Sequence, residues 1–153
     1  MAGNTIFAGP VEAVKPLMNE AKIATGQTLV GGNLVELSSG EWVAHATAGV
    51  GGDVYIIDMD TIGQKAVADA LTAGQSHPAF VPQVGYSYNM VIADGETVTK
   101  GAALVSDGAG ALAVSAGTGA DEPLFTAEEA VTTSGATARI KVRYNPTGVN
   151  ALT

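Results

Sequence analysis

The sequence predicts an all-β protein, a small antiparallel β-barrel or sandwich, and three observations carry that prediction. Gly accounts for 20 of 153 residues, roughly twice its ordinary ~7% share, which favours many turns over long helices. Short apolar runs of strand length alternate with Gly, Asp-Gly and Ser-Gly punctuation, the pattern of strands joined by tight turns. One such unit also occurs twice. Ala93 to Gly117 reads as a β-hairpin unit in which Val98, Ala103 to Val105 and Leu112 to Val114 are separated by Gly101 and by the Asp107–Gly110 cluster. Ala24 to Gly49 has the same punctuation: Gly26, Thr28, Leu29, Gly32 and Val35 match Gly95, Thr97, Val98, Gly101 and Leu104, and, one residue later in offset, Gly40 and Trp42 match Gly110 and Leu112. Two copies are too few for a solenoid, so the expectation is two similar corners of one small domain.

Residues 1–24 differ from the rest. Pro10 and Pro16 block a regular helix or a central strand, and Val11, Val14, Leu17 and Met18 still carry apolar surface. This stretch is expected to be an extended N-terminal arm whose four apolar residues contact a partner. Residues 25–146 are expected to form a single β domain, and 147–153 a C-terminal tail.

Within the domain, residues 28–48 supply two or three strands around the Ser38-Ser39-Gly40 turn. Trp42, the one Trp of the chain, is expected to anchor a core or an interface between subunits. His45 alternates with Val43 along its strand and reads as a satisfied strand histidine. Val54 to Ile57 is a continuous apolar run of buried-strand length. Asp58 and Asp60, two apart, read as a solvated strand end, since no calcium-loop spacing follows them. Thr61 to Ala73 has two turns of helical spacing and predicts one short helix or an irregular excursion. Residues 74–78 read as a turn. In Ala79 to Ile92, Tyr86, Tyr88 and Met90 alternate with polar neighbours, which predicts a strand with an aromatic face after a bend at Pro82 and Gly85. Pro123 to Thr126 predicts a short strand equivalent to Val54–Ile57, and Glu128 and Glu129 lie in a turn. In Ala138 to Tyr144, Ile140, Val142 and Tyr144 share one face; Arg139, Lys141 and Arg143 share the other. Three of seven cations on one stripe of an acidic protein are expected to meet carboxylates of Asp121, Glu122, Glu128 or Glu129, in the same or a neighbouring subunit. Tyr86, Tyr88 and Trp42, with this stripe, are the expected contacts between subunits.

Composition narrows the function. A domain of this length buries roughly 70% of its unfolded surface and needs neither disulfide nor metal to fold; there is no Cys. The net charge of −8 disfavours nucleic acid, where affinity comes from neutralising phosphates with Lys and Arg. No apolar stretch approaches the ~20 residues that cross a bilayer, and no secretion signal is visible, so no membrane partner is expected. No nucleophile elbow, zinc-binding HExxH pattern or phosphate-loop lysine occurs. The expectation is therefore no catalytic, cofactor or metal residues, no cofactor and no enzyme. A low charged fraction of 14% with 46% hydrophobic residues suits an assembly component. A carbohydrate-binding or adhesin-like β module, stacking sugars on Trp42, Tyr86 and Tyr88, is the alternative expectation.

The phrases GGDVYIIDMDTIGQ, AFVPQVGYSYNMVIADGETVTKGAALVSDGAGALAV and PLFTAEEAV with ARIKVRY resemble tailed-bacteriophage capsid decoration proteins, also called cement or head-stabilising proteins. The resemblance runs over residues 25–145. It implies a small β fold of β-tulip or jelly-roll type and, for the lambda-type group, trimers on the coat shell with an N-terminal arm laid across it. The implied partners are the phage major capsid protein and the chain itself as a homo-oligomer, most simply a trimer. The implied location is the outer capsid surface of the virion, after synthesis in the host cytoplasm.

Overall fold

The computed structural model describes Ile6 and residues 17–60, 63 and 65–146, and among them every regular element is a β-strand. The all-β prediction therefore holds, but the strands close into two small barrels where one was expected. The first contains β1 (Met18–Ile23), β2 (Leu34–Ser38), β3 (Glu41–Ala44), β4 (Tyr55–Ile57) and β5 (Ser76–Phe80), in the order β1-β3-β2-β4-β5. β6 (Ser87–Ile92) opens the second. After the short β7 (Thr97–Val98) come β8 (Ala103–Ser106), β9 (Leu112–Val114) and β10 (Phe125–Ala127); the short β11 (Val131–Thr132) precedes β12 (Ala138–Tyr144). The second barrel runs β10-β12-β6-β9-β8, and β7 pairs with β11 beside it.

The two barrels have one topology and one register. β1 and β3 pair in parallel with Ile23 opposite Trp42; β6 and β9 pair in parallel with Ile92 opposite Leu112. Val35 faces Tyr55 as Leu104 faces Phe125. Ala21 faces His77 as Met90 faces Ile140. The first part of the repeat is spaced by 69 residues (Ile23 to Ile92), the part after the β2–β3 turn by 70 (Trp42 to Leu112), and the last strand by 63 (His77 to Ile140). The repeated hairpin read from the sequence is thus the middle of a longer repeat that spans the whole described chain. Each barrel is antiparallel except for its one parallel pair.

Local chemistry explains the turns. Ser39 and Gly40 both have positive φ, 52° and 80°, the backbone of a two-residue hairpin whose twist matches the strands it joins. At the matching β8–β9 turn, Asp107 Oδ1 accepts hydrogen bonds from Ala109 N (2.7 Å) and Ala111 N (2.9 Å), so the carboxylate organises the one-residue-longer loop.

The interior of the first barrel is Ile23, Leu29, Val35, Trp42, Ile57, Leu71 and Ala79. A second cluster joins the two barrels. It contains the second barrel's Tyr88, Met90, Ile92, Leu104, Leu112, Phe125, Ile140 and Val142 together with Leu34, Val54, Ile56 and Phe80 of the first, and Ile6. Because strand side chains alternate, Leu34, Ile56 and Phe80 stand on the opposite face of their strands from Val35, Ile57 and Ala79. The first barrel is therefore apolar on both sides of β2, β4 and β5, and its outer face is covered by the second barrel.

Two expectations need correction. Met18–Ile23 is a barrel strand, paired along its length with β5, so an arm reaching to residue 24 would include part of the fold. Ile6, within the same stretch, is 1% exposed, and its carbonyl accepts a hydrogen bond from Asn89 N. Residues 76–78 are strand, not turn: Pro78 has no N–H to give, and its carbonyl accepts from Asp58 N (3.0 Å). The described part of 61–73 is the irregular excursion of the two alternatives expected there, and it carries a bridge from Ala70 to Val30. The expected tail, 147–153, lies outside the described residues.

Candidate interaction surface

The basic stripe of β12 was the feature singled out from sequence, and the strand places it as expected: Ile140 and Val142 point into the barrel, while Arg139, Lys141 and Arg143 stand on its outer face. Their partners differ. Glu128, in the turn after β10, is held opposite Lys141 by its own backbone, since Glu128 N donates to Lys141 O (3.0 Å). Its Oε1 accepts from Arg143 Nε (3.0 Å) and Nη2 (2.5 Å), a two-point grip. Its Oε2 accepts from Ser87 Oγ (2.8 Å) and lies 3.5 Å from Lys141 Nζ. Burial alone would raise the Glu128 pKa; the hydrogen bonds from Ser87 and Arg143 and the charges of Lys141 and Arg143 outweigh it, so the carboxyl sits below its ordinary value. Lys141 N also donates to Glu129 Oε2 (2.8 Å). Of the four carboxylates expected to pair with the stripe, Glu128 does so within one chain, while Glu129 accepts from the backbone of Lys141. Asp121 bonds Ser115 Oγ (2.7 Å) and Thr118 Oγ1 (3.2 Å), and Glu122 Oε2 accepts from Gly51 N (2.8 Å).

Arg139 does something else. Its Nε and Nη2 donate to Gly31 O (3.1 and 2.5 Å), and Nη2 to Val67 O (3.1 Å). Arg139 is a clasp between the barrels, and burial draws its pKa down. The same seam holds Val91 N to Gly32 O (3.1 Å), Leu34 N to Gly110 O (2.8 Å), Asn33 Nδ2 to Gly110 O (2.9 Å) and His45 Nδ1 to Ser106 Oγ (2.8 Å). His45 is thus satisfied, as read from its sequence position, though at a barrel seam.

Glu128, Glu129, Lys141, Arg143, Lys100, Gly101, Thr126 and Ala127 line an open cleft of about 490 Å³ on the outer wall of the second barrel. Lys100 is exposed at its rim. The side chains of Lys141 and Arg143 remain 42% and 55% exposed despite their pairing, so each keeps N–H groups for an incoming acceptor.

The aromatic side chains expected between subunits are differently placed. Trp42 is wholly buried inside the first barrel, where Nε1 donates to His77 O (2.8 Å) and the ring meets Tyr55 at 4.9 Å. Tyr88 is also wholly buried, 6.0 Å from the Phe80 ring, with its hydroxyl accepting from Gln83 N (3.1 Å). Neither offers a face to a subunit or to a sugar. Tyr86 is half-buried against the shared core. Apolar anchors carry most burial energy, and here the folded protomer uses them itself.

Val11 and Val14 lie outside the described residues. Leu17 and Met18 are 59% and 45% exposed. Leu17 O accepts from Val81 N (2.9 Å) and Met18 pairs with Phe80, so both stand at the rim where β1 and β5 begin and end. Val84, 54% exposed, lies three residues beyond Val81.

Asp58 and Asp60 bind backbone at the end of β4: Met59 N donates to Asp58 Oδ1 (2.8 Å) and Gly63 N to Asp60 Oδ1 (2.6 Å). Burial raises the Asp58 pKa, and the bond from Met59 N only partly offsets it. Among the described residues, no group of three His, Asp or Glu side chains is arranged to hold a metal ion, and no helix is long and apolar enough to cross a membrane. Compared with known proteins, the chain matches no protein-family model and no curated sequence.

Proposed function

We propose that the chain is a structural virion protein that binds the outer surface of a phage capsid as an oligomer and stabilises the shell. The observation that carries this reading is the apolar rim of Leu17 and Met18, left exposed at the start of the first barrel strand. The protein packs its Trp and most of its aromatic side chains inside, yet leaves Leu17 and Met18 in contact with water. An exposed apolar edge where the N-terminal segment joins the barrel suits a surface that meets the shell. The phrase resemblance to decoration proteins points the same way. Such a protein acts by mass action: binding the mature shell but not its precursors or fragments stabilises that shell by the binding free energy, repeated over many copies.

The test is the double variant Leu17→Asp, Met18→Asp. Both side chains are exposed, so the barrel is expected to stay folded by Trp42 fluorescence, while co-sedimentation with expanded shells falls at least 10-fold. Unchanged co-sedimentation would remove this edge as the anchor. The sugar-binding alternative finds no exposed Trp42 or Tyr88 to stack on.

A further inference from the structure

The internal repeat allows a comparison that one barrel alone does not. Within the chain, the barrels do not meet by equivalent surfaces. The first barrel contributes Gly31, Gly32, Leu34, Ala44 and His45; the second contributes Asn89, Val91, Ser106, Gly110 and Arg139. This is a head-to-tail joint, and each half of it has a counterpart elsewhere that the described residues leave open. Gly32 and Gly101 share a φ of +89°, yet a Cβ on Gly32 would stand 2.6 Å from Asn89 O, whereas one on Gly101 meets nothing. Gly110 is packed against Ala44 and Leu34; its counterpart Gly40 meets nothing. β6 is buried at all six residues, but its counterpart β1 is exposed at four. Ser106 is 1% exposed in the seam, and its counterpart Leu37 is an apolar side chain 43% exposed.

We propose that a second copy of this chain fills that open joint. The second barrel's face at Lys100, Gly101, Ala103 and Ser115 receives the first barrel's face at Glu20, Leu37, Gly40 and Ser76 from the next copy, repeating between chains the contact made within one. The cleft lies on the receiving face, bringing Lys100, Lys141 and Arg143 together with Glu128 and Glu129; the entering face brings the exposed Glu20 and Glu41 with Lys22 between them. The apolar row that seals the internal seam, Leu34, Ile56 and Phe80, is Ala103, Thr126 and Arg143 here. The connection between β4 and β5 is also seven residues longer than its counterpart, and its Val67 covers part of the first barrel's groove, against Gly31. The contact between copies is therefore the more polar of the two, and it weakens with salt. Repeated head-to-tail, such a contact closes into a ring or runs on as a filament. The inference fixes how the oligomer of the proposed function is built, and it stands or falls without any shell.

The chain has no Cys, so engineered thiols report on single contacts. Leu37 and Ser115 are the counterparts of Ser106 and His45, whose side chains touch at 2.8 Å. Mixing L37C and S115C protein with a short bismaleimide, whose two C=C bonds each add one Cys thiolate, is expected to give the mixed dimer, and the double variant a ladder of oligomers. K100E is expected to weaken association by about 10-fold in sedimentation, and E20K with K100E to recover part of it. Trp42 fluorescence checks folding throughout. A monomer at all concentrations, or cross-linking confined to L37C with itself, would overturn the proposal: the first would mark the cleft as a solvent-facing end of a two-barrel stack, the second a twofold contact. Loss of shell binding with the ladder intact would instead count against the proposed function alone.

Discussion

Glu128 is the residue on which pH acts. Its pKa is depressed in the folded protein, so it binds its proton more weakly folded than unfolded. Its contribution to stability is complete above the unfolded carboxyl value of ~4.3 and is lost as pH falls through the lower folded value. Urea unfolding midpoints are expected to drop across that acid window, and Glu128→Gln to flatten the part of the drop due to this group. At the seam, Gly32→Ala places a Cβ against a backbone oxygen that cannot move aside, in addition to the cost of about 1–2 kcal/mol for a non-Gly residue at positive φ. Gly101→Ala incurs only the second cost. The first variant is therefore expected to be the less stable by at least 1 kcal/mol in denaturant titrations of the dilute protein. Equal losses would mean that the seam yields more easily than its backbone contacts imply.

Among the elements, β2, β3, β4, β6, β8, β9, β10 and β12 were legible because their apolar runs, alternation and turn residues agree. β1 and β5 were not. MNEAKI has no clean alternation, and SHPAF carries a proline that ordinarily demotes a strand; both are held by pairing with each other, which no local pattern records. The repeat itself contained the missing signal. Moving β6 back by 69 residues lands on β1, and moving β12 back by 63 lands on β5. The helical spacing after Thr61 left a helix and an irregular excursion both open, because a longer connection can carry apolar residues such as Leu71 into a core without a helix. The candidate site was half legible. The alternation of β12 placed its cations, but no local pattern could show that Arg139 clasps carbonyls across the seam while Arg143 meets Glu128. The placement of β1 has a consequence: deleting Met1 to Ala21 removes Ile6 and most of a barrel strand. It is expected to abolish the native Trp42 emission, whereas a dispensable arm would leave it intact.

At the scale of the whole molecule, the two barrels share one apolar cluster, so neither is a separate folding unit by packing. Calorimetry of the dilute chain is expected to show one cooperative transition; two resolved transitions would mean that the Arg139 seam is weaker than the burial of Leu34, Ile56 and Phe80 implies. The protein then reads as a pair of rigid modules with exposed edges. Its chemistry lies in those edges: exposed Leu17 and Met18, a cleft of paired charges with Lys100 at its rim on one barrel, and the Glu20, Lys22 and Glu41 face on the other. Adhesion through shape and copy number is what the proposed decoration role would require of such edges.

The measurement that bears most directly on that proposal is density-gradient sedimentation of a lysate in which the gene for this chain is expressed from its own genome, with the chain quantified in any capsid band. A fixed copy number per shell, regained when purified protein is added to stripped shells, is the expected result. Protein that stays at the top of the gradient, at concentrations where the chain has already formed its oligomer, would contradict it.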